Sequence, residues 1–293
     1  MTLILLLFLI NYDIKSDKMK ILNYAERIFE LIGNVEIKDT NFTAKSPYGK
    51  FFEKKEIVLL KNGAKVEGKT WNIECEEISY NLKNKKAEFQ NNVKIEDTLY
   101  FIKTNFIVYE KNNAFSPQKL EVLRKTDSTI IKGDSGIYSF TKKQGWTFGN
   151  SKIIKKNLKI EANKILFAQN FIIAVGNVKI SKDTNKMFGD SLFYKNDTLK
   201  LFGNYSKIFW ENNKGISKEI NVILKKDTIK EIHLKNECQV FWKSEEGNLI
   251  LNADFVKFRQ KEVYASGNVK AKWVEKPKSE KFDKNIRKKK GSQ

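Results

Sequence analysis

Few side chains in this sequence have the types and spacing that could do chemistry. The 293-residue chain has one histidine, His233, and two cysteines, Cys75 and Cys238. Imidazole and thiolate are the usual base, nucleophile and zinc ligand near neutral pH, so a zinc site, a Cys/His pair or a Ser/His/Asp triad has almost no material here. His233, between Ile232 and Leu234, reads as the outward residue of a strand. The cysteines read as buried structural thiols, with a mutual disulfide as the alternative. Asp134, Asp190 and Asp254 could be taken for a carboxylate pair, but they recur at one slot of a repeat. Hydrogen bonding at a turn or corner is then their expected role. The expectation is a protein that is not an enzyme and has no cofactor and no metal site.

What recurs are phrases that position strands. Gly33-Asn34-Val35-Glu36-Ile37 returns as Gly176-Asn177-Val178-Lys179-Ile180 and Gly267-Asn268-Val269-Lys270-Ala271, with looser copies at Asn91-Asn92, Gly149-Asn150 and Gly203-Asn204. A second phrase precedes these: a small residue, then usually an acid or amide, then an aliphatic and an aromatic. Examples are Cys75-Glu76 with Ile78 and Tyr80, Ala162-Asn163 with Ile165 and Phe167, Gly189-Asp190 with Leu192 and Tyr194, and Ala253-Asp254 with Val256 and Phe258. The distance from the small residue to the next Gly-Asn phrase is 14 residues for Ala162, Gly189 and Ala253, and 16 for Cys75 and Gly133. Two strands and a tight turn fit that spacing, and Lys83-Asn84, Gln169-Asn170, Asn196-Asp197 and Gln260-Lys261 stand where the turn should fall.

Glycine and asparagine tolerate the positive φ of a corner. Alternation then puts Val178 and Ile180 on one side of the strand and Lys179 on the other. Between Ala162 and Ile165 the two-residue period slips, which predicts a bulge or bend. The fold class is therefore all-β: an elongated open jellyroll of two facing antiparallel sheets built from repeated hairpins. A brief helix-like spacing at Ile21, Ala25, Ile28 and Ile32 is the exception.

Composition agrees, with 41% hydrophobic residues and only three prolines. The formal charge of +20, from 55 basic and 35 acidic residues, attracts polyanions without choosing among them. Residues 3–10 are an unbroken apolar run, too short to cross a bilayer and of the length of a secretory core, although a basic start and a cleavage site are missing. Residues 1–20 are read as a signal peptide or export segment, 21–273 as the repeats, with two stacked jellyrolls at 21–150 and 151–273 as one division, and 274–293 as a basic, disordered tail.

These phrases resemble the OstA-like family: the periplasmic lipopolysaccharide-transport proteins of the LptA and LptC type and the N-terminal domain of LptD. The resemblance spans residues 21–273. It implies an open jellyroll in the periplasm that shields acyl chains inside and stacks end to end with its partners. Two stretches differ from the shorter members: 23–32 reads as a shortened first unit and 214–234 as a less regular insertion.

The inward stripe expected to line a lipid trough is Val35, Ile37, Val93, Ile95, Ile165, Phe167, Val178, Ile180, Leu192, Val256 and Val269. Outward lysines such as Lys94, Lys179 and Lys270 are expected to be solvated, or alternatively to offset glycolipid phosphates. The expected partners are lipopolysaccharide, held through lipid A, and other bridge proteins joined by edge-strand stacking, with a homo-oligomer as a variant and no nucleic acid. Rival readings are a β-solenoid or adhesin-like surface protein, a basic polyanion-binding module, and a polysaccharide lyase, for which no clustered acid/base set is evident.

Overall fold

The structure, a computed structural model, describes residues 13–226, 228–244, 246–259 and 262–275. The apolar run at 3–10, the Gln260-Lys261 pair and the tail from 276 onward lie outside these residues. Among the described residues, 24 strands form one antiparallel sheet, with a single short 3-10 turn at Glu53–Lys55. The chain meanders. Leu158–Phe167 pairs with Ile172–Lys182, that strand with Asn185–Lys195, and that with Thr198–Trp210.

Every pass is interrupted near its middle. Register shifts fall between Glu161 and Lys164, Val175 and Val178, and Phe188 and Ser191, while other passes break into two strands, as Thr129–Gly133 and Ser135–Ser139 do. The slip at Ala162 is thus a bulge. Because the interruptions line up from strand to strand, the sheet folds along a spine and its two halves face each other, giving the jellyroll.

The two recurring phrases are the two sides of this corner. Gly176 and Asn177 have φ of 80° and 51°, and Gly33 and Asn34 of 72° and 44°. A Cβ on Gly176 would also stand 2.7 Å from the Asn163 amide nitrogen, so both conformation and space require glycine there. Asn62-Gly63 and Asn236-Glu237 adopt the same left-handed pair without the Gly-Asn spelling. Across the corner, the side-chain amides of Asn34, Asn150 and Asn268 donate to the carboxylates of Asp17, Asp134 and Asp254 at 2.9, 2.7 and 2.8 Å, and Asn204 N–H donates to Asp190 at 3.3 Å. The aspartates therefore hold corners.

The small-residue slot lies inside the bend. Cys75 fills it with its thiol donating to the Glu77 carbonyl at 3.2 Å, and Cys238 donates to the Asp254 carbonyl at 3.3 Å. Both cysteines are free and buried. Burial pushes the thiols up, to about 12 for Cys75 and about 11 for Cys238, so neither is a nucleophile at neutral pH.

Two local expectations are corrected. The helix-like spacing at Ile21 to Ile32 forms an antiparallel hairpin, Lys18–Asn23 against Ile28–Lys38, because pairing in the sheet satisfies these backbones and Ile32 is turned outward. The stretch 214–234 is no irregular insertion. Asn213–Lys225 and Thr228–Lys243 pair with Ile220 opposite Leu234, and Ile220, Val222, Ile232 and Leu234 keep the inward alternation. The sheet also begins at Asp13, ahead of the boundary read at 21, and Gln144–Lys155 runs through residue 150 paired on both sides.

If the corner bond is structural, Asp134→Ala and Asp254→Ala should each lower unfolding free energy by about 1 kcal/mol, and their effects should add in the double variant. Urea denaturation measures both. Unchanged midpoints would remove the corner role.

Candidate functional site

Alternation on both halves of the sheet directs one set of side chains inward. Of the expected stripe, Val35, Ile37, Val93, Ile95, Ile165, Phe167, Val178, Ile180, Leu192 and Val256 all lie in one continuous buried cluster. Val269 does not. It is 49% exposed in the last pass, between Glu262–Ser266 and Lys270–Glu275, which among the described residues has one neighbouring strand. Lys94, Lys179 and Lys270 point outward and are exposed, and His233 lies on the outer face with Nε2 3.0 Å from Glu231.

The interior is packed. Val35, Ile37, Ile165 and Val256 expose none of their surface, so a guest could enter only if the two halves part. They cannot part at the spine, where the backbone is continuous. The opening has to be the opposite side, where two rows of hairpin turns meet: 39–41, 69–70, 98–99, 125–128 and 156–157 on one lip, and 82–85, 111–112, 140–143, 168–171 and 196–197 on the other.

This seam is closed by aromatics and a few polar contacts. Phe42, Trp71 and Tyr100 from one lip meet Tyr80, Tyr109, Tyr138, Phe140 and Phe167 from the other, with ring centroids 5.1 Å apart for Phe42 and Tyr80, 4.7 Å for Trp71 and Phe140, and 5.3 Å for Tyr100 and Phe167. Tyr80 donates to Asp39 at 2.7 Å, Tyr138 donates to Asp97, and Lys143 donates to Thr98 at 2.7 Å. Further along, Lys155 spans the seam to Tyr194 at 3.2 Å and Asp197 at 3.9 Å. Beyond it, Trp210 meets Phe258 across the seam with ring centroids 4.8 Å apart and Trp242 stacks on Phe258 at 5.8 Å, beside a cleft of about 340 Å3 that Thr184 and Ile229 also line.

The sequence reading named Tyr80 and Phe167 as aromatics of its second phrase but missed the seam they close and its period. Phe51, Tyr80, Tyr109, Tyr138 and Phe167 recur every 29 residues, as do Phe42, Trp71 and Tyr100. That period spans two passes, one step of the stack, and was the available signal.

Electrostatics at the seam is local. Burial and the hydrogen bond to Asp97 hold the Tyr138 hydroxyl protonated well above the usual tyrosine range, and burial raises Tyr100 to about 12. Burial works against the charge on Asp127, but hydrogen bonds from Arg124 and Thr129 and the nearby Lys155 outweigh it and lower Asp127 to about 2. Arg124 holds Asp127 through two nitrogens, at 2.9 and 2.8 Å.

A long antiparallel sheet folded along a spine, with an apolar interior and a seam of turns, defines a β-jellyroll whose only large inner surface is greasy. Residues 11–86 match the family described as LptA/(LptD N-terminal domain) LPS transport protein. The resemblance read from the repeats is borne out there, and the repeats continue past the matched residues to 275. Among solved structures, LptH, the LptA-homologous periplasmic component of the lipopolysaccharide transport device of Pseudomonas aeruginosa, aligns at 16% identity over 35% of this chain and 80% of that one, with a TM-score of 0.32. No curated protein matches.

The Asp127 carboxylate gives a test of the seam. Its folded value lies below its unfolded one, so its stabilisation is present above about pH 4 and lost as pH falls toward 2. Asp127→Asn should lower Tm at pH 7, by stranding the buried Arg124 guanidinium, and flatten the fall in Tm between pH 4 and 2. An unchanged acid limb would show that the pair is not held in solution.

Proposed function

We propose that this protein binds lipopolysaccharide and carries it through the periplasm, with the acyl chains between the two sheet halves and the sugars outside the seam. The observation that carries this reading is the interior itself, one unbroken apolar cluster from Leu31 to Phe258, together with the family of residues 11–86. A buried methylene is worth about 0.8 kcal/mol, so an acyl chain of a dozen carbons gains on the order of 10 kcal/mol on leaving water. Each polar seam contact contributes only about 1 kcal/mol net. Guest chains that replace the packing between the halves can therefore offset the opening of the lips.

The ends of the stack supply a route for handing the lipid on. Among the described residues, Ile21 and Leu22 are exposed on the first pass and Val263, Tyr264 and Trp273 on the last, so both edges would offer apolar side chains to another bridge protein or a second copy. No residue need do chemistry, and the work of loading belongs to a partner.

Photocrosslinking from Val178 should capture lipid identifiable by mass, whereas the same probe at Lys179 should not. Val178→Asp or Ile180→Asp, checked for folding by circular dichroism, should abolish lipopolysaccharide binding, because a carboxylate would be desolvated beside acyl chains at several kcal/mol. Lys179→Asp should weaken binding mildly and in a salt-dependent way. Folded inward variants that bind like the parent would overturn the interior as the site. Tyr138→Phe removes one bond across the seam and leaves Asp97 its backbone donors at Leu99 and Tyr100. Lipid uptake should become faster in this variant, and an unchanged rate would mean that the lips do not limit entry.

A further inference from the structure

The register exposes a ladder of charge on the outer face of one sheet half. Directly opposed outward residues run Lys65, Glu74, Lys94, Lys103, Glu121 and Lys132 on successive strands. Glu74 is held by Lys65 at 3.1 Å and Glu121 by Lys132 at 2.7 Å. Lys94 and Lys103 are left facing each other across a strand pair, and among the described residues neither has an ion-pair partner. Like charges at directly opposite positions destabilise a sheet. Lys103 lies 5.3 Å from the ring centre of Phe101.

The same place is concave. Tyr100–Glu110 pairs with Asn113–Ser116 at one end and with Leu120–Arg124 at the other, so residues 117–119 loop away between them. Thr104 Oγ donates to the Lys119 carbonyl at 3.0 Å and fixes that loop. The resulting groove, about 930 Å3, is lined by Lys94, Lys103, Lys119, Lys132 and Lys152. Three carboxylates also line it, Glu76, Glu121 and Asp134. Glu121 is engaged by Lys132, and Asp134 accepts from Asn150 at 2.7 Å. Among the described residues Lys94, Lys103 and Lys119 have no ion-pair partner, and Lys103 rests only on the Phe101 ring.

We propose that this groove binds a phosphate group, free or on a sugar, held by the ammonium groups of Lys94, Lys103 and Lys119. An anion between Lys94 and Lys103 would convert an opposed like-charge pair into two charge-assisted contacts. The site is independent of the lipid reading, since these lysines face away from the interior that Val93 and Ile95 line.

The test is thermal unfolding and calorimetry of the full chain with inorganic phosphate, with glucose 1-phosphate, and with sodium chloride at equal ionic strength. Phosphate or the sugar phosphate should raise Tm beyond the chloride control. Lys103→Glu sets a carboxylate opposite both Lys94 and Glu121, a gain and a loss that offset each other, so it should unfold near the parent's Tm in chloride and bind phosphate about tenfold more weakly or worse. Lys94→Gln repeats the measurement with a neutral side chain should the first variant fold poorly, and Lys270→Glu, remote from the groove, should respond to phosphate like the parent. A parent that responds to phosphate no more than to chloride, or a response that survives Lys103→Glu and Lys94→Gln, overturns the site. Binding to phosphatidylglycerol vesicles without binding to either soluble phosphate also overturns it, because the face would then be reading membrane charge.

Discussion

The bend at the middle of each pass is the constraint on which the rest of this protein depends, because an antiparallel meander left unbent would expose one whole apolar face. Bending draws on three things at most corners: residues that accept positive φ, a small side chain inside the angle, and a partner for the polar groups that the interrupted ladder releases, although Gly203-Asn204 bends without positive φ. Gly-Asn, the cysteine, glycine or alanine slot, and the aspartate supply them. The Asp134 N–H donates to the Phe148 and Gly149 carbonyls at 3.0 and 3.1 Å, so the corner recovers its own backbone bonds. One corner orients its strand, and a row of corners orients two walls.

What the walls enclose serves as core and as candidate binding surface, and these two demands conflict. A core gains from close packing, whereas a binding surface has to give its packing up. The polar groups inside reflect the conflict. The buried hydroxyls of Tyr100, Thr147, Ser151 and Ser206 have no hydrogen-bond partner in the closed interior. Each such group costs about 1–3 kcal/mol when left unsatisfied. The interior thus carries a polar cost that its apolar burial alone does not show.

The strands and corners were legible in the sequence because their causes are local. At the corners positive φ falls on glycine or asparagine with Glu237 the exception, and Val178 and Ile180 are two positions apart on one strand. The seam was not legible, because Tyr80 and Asp39, like Tyr138 and Asp97, are 41 residues apart and meet only once the sheet has folded. Val269 shows another limit. Alternation gives the phase of a side chain without saying whether a neighbour will cover it, and in the last pass little does. The segment 214–234 looked irregular because its outward residues vary, while the inward ones that decide its pairing do not.

The asymmetry between spine and seam determines how such a fold can open. At the spine the chain crosses from one wall to the other in every pass, so separation there would unfold strands one after another, each with its ladder bonds and corner. At the seam no backbone crosses. The lips are joined by ring contacts worth about 0.5–1.5 kcal/mol each beyond their buried area and by a few side-chain bonds, and these are unevenly placed. The aromatic run from Phe42 to Phe167 closes the first part together with the Tyr80–Asp39 and Tyr138–Asp97 bonds, whereas past Lys155 the rings of Trp210 and Trp242 on Phe258 join the lips beside a cleft that Thr184 and Ile229 also line. A wedge of apolar chains would therefore have to displace rings wherever it entered, and each pair it displaced would expose the next along the stack.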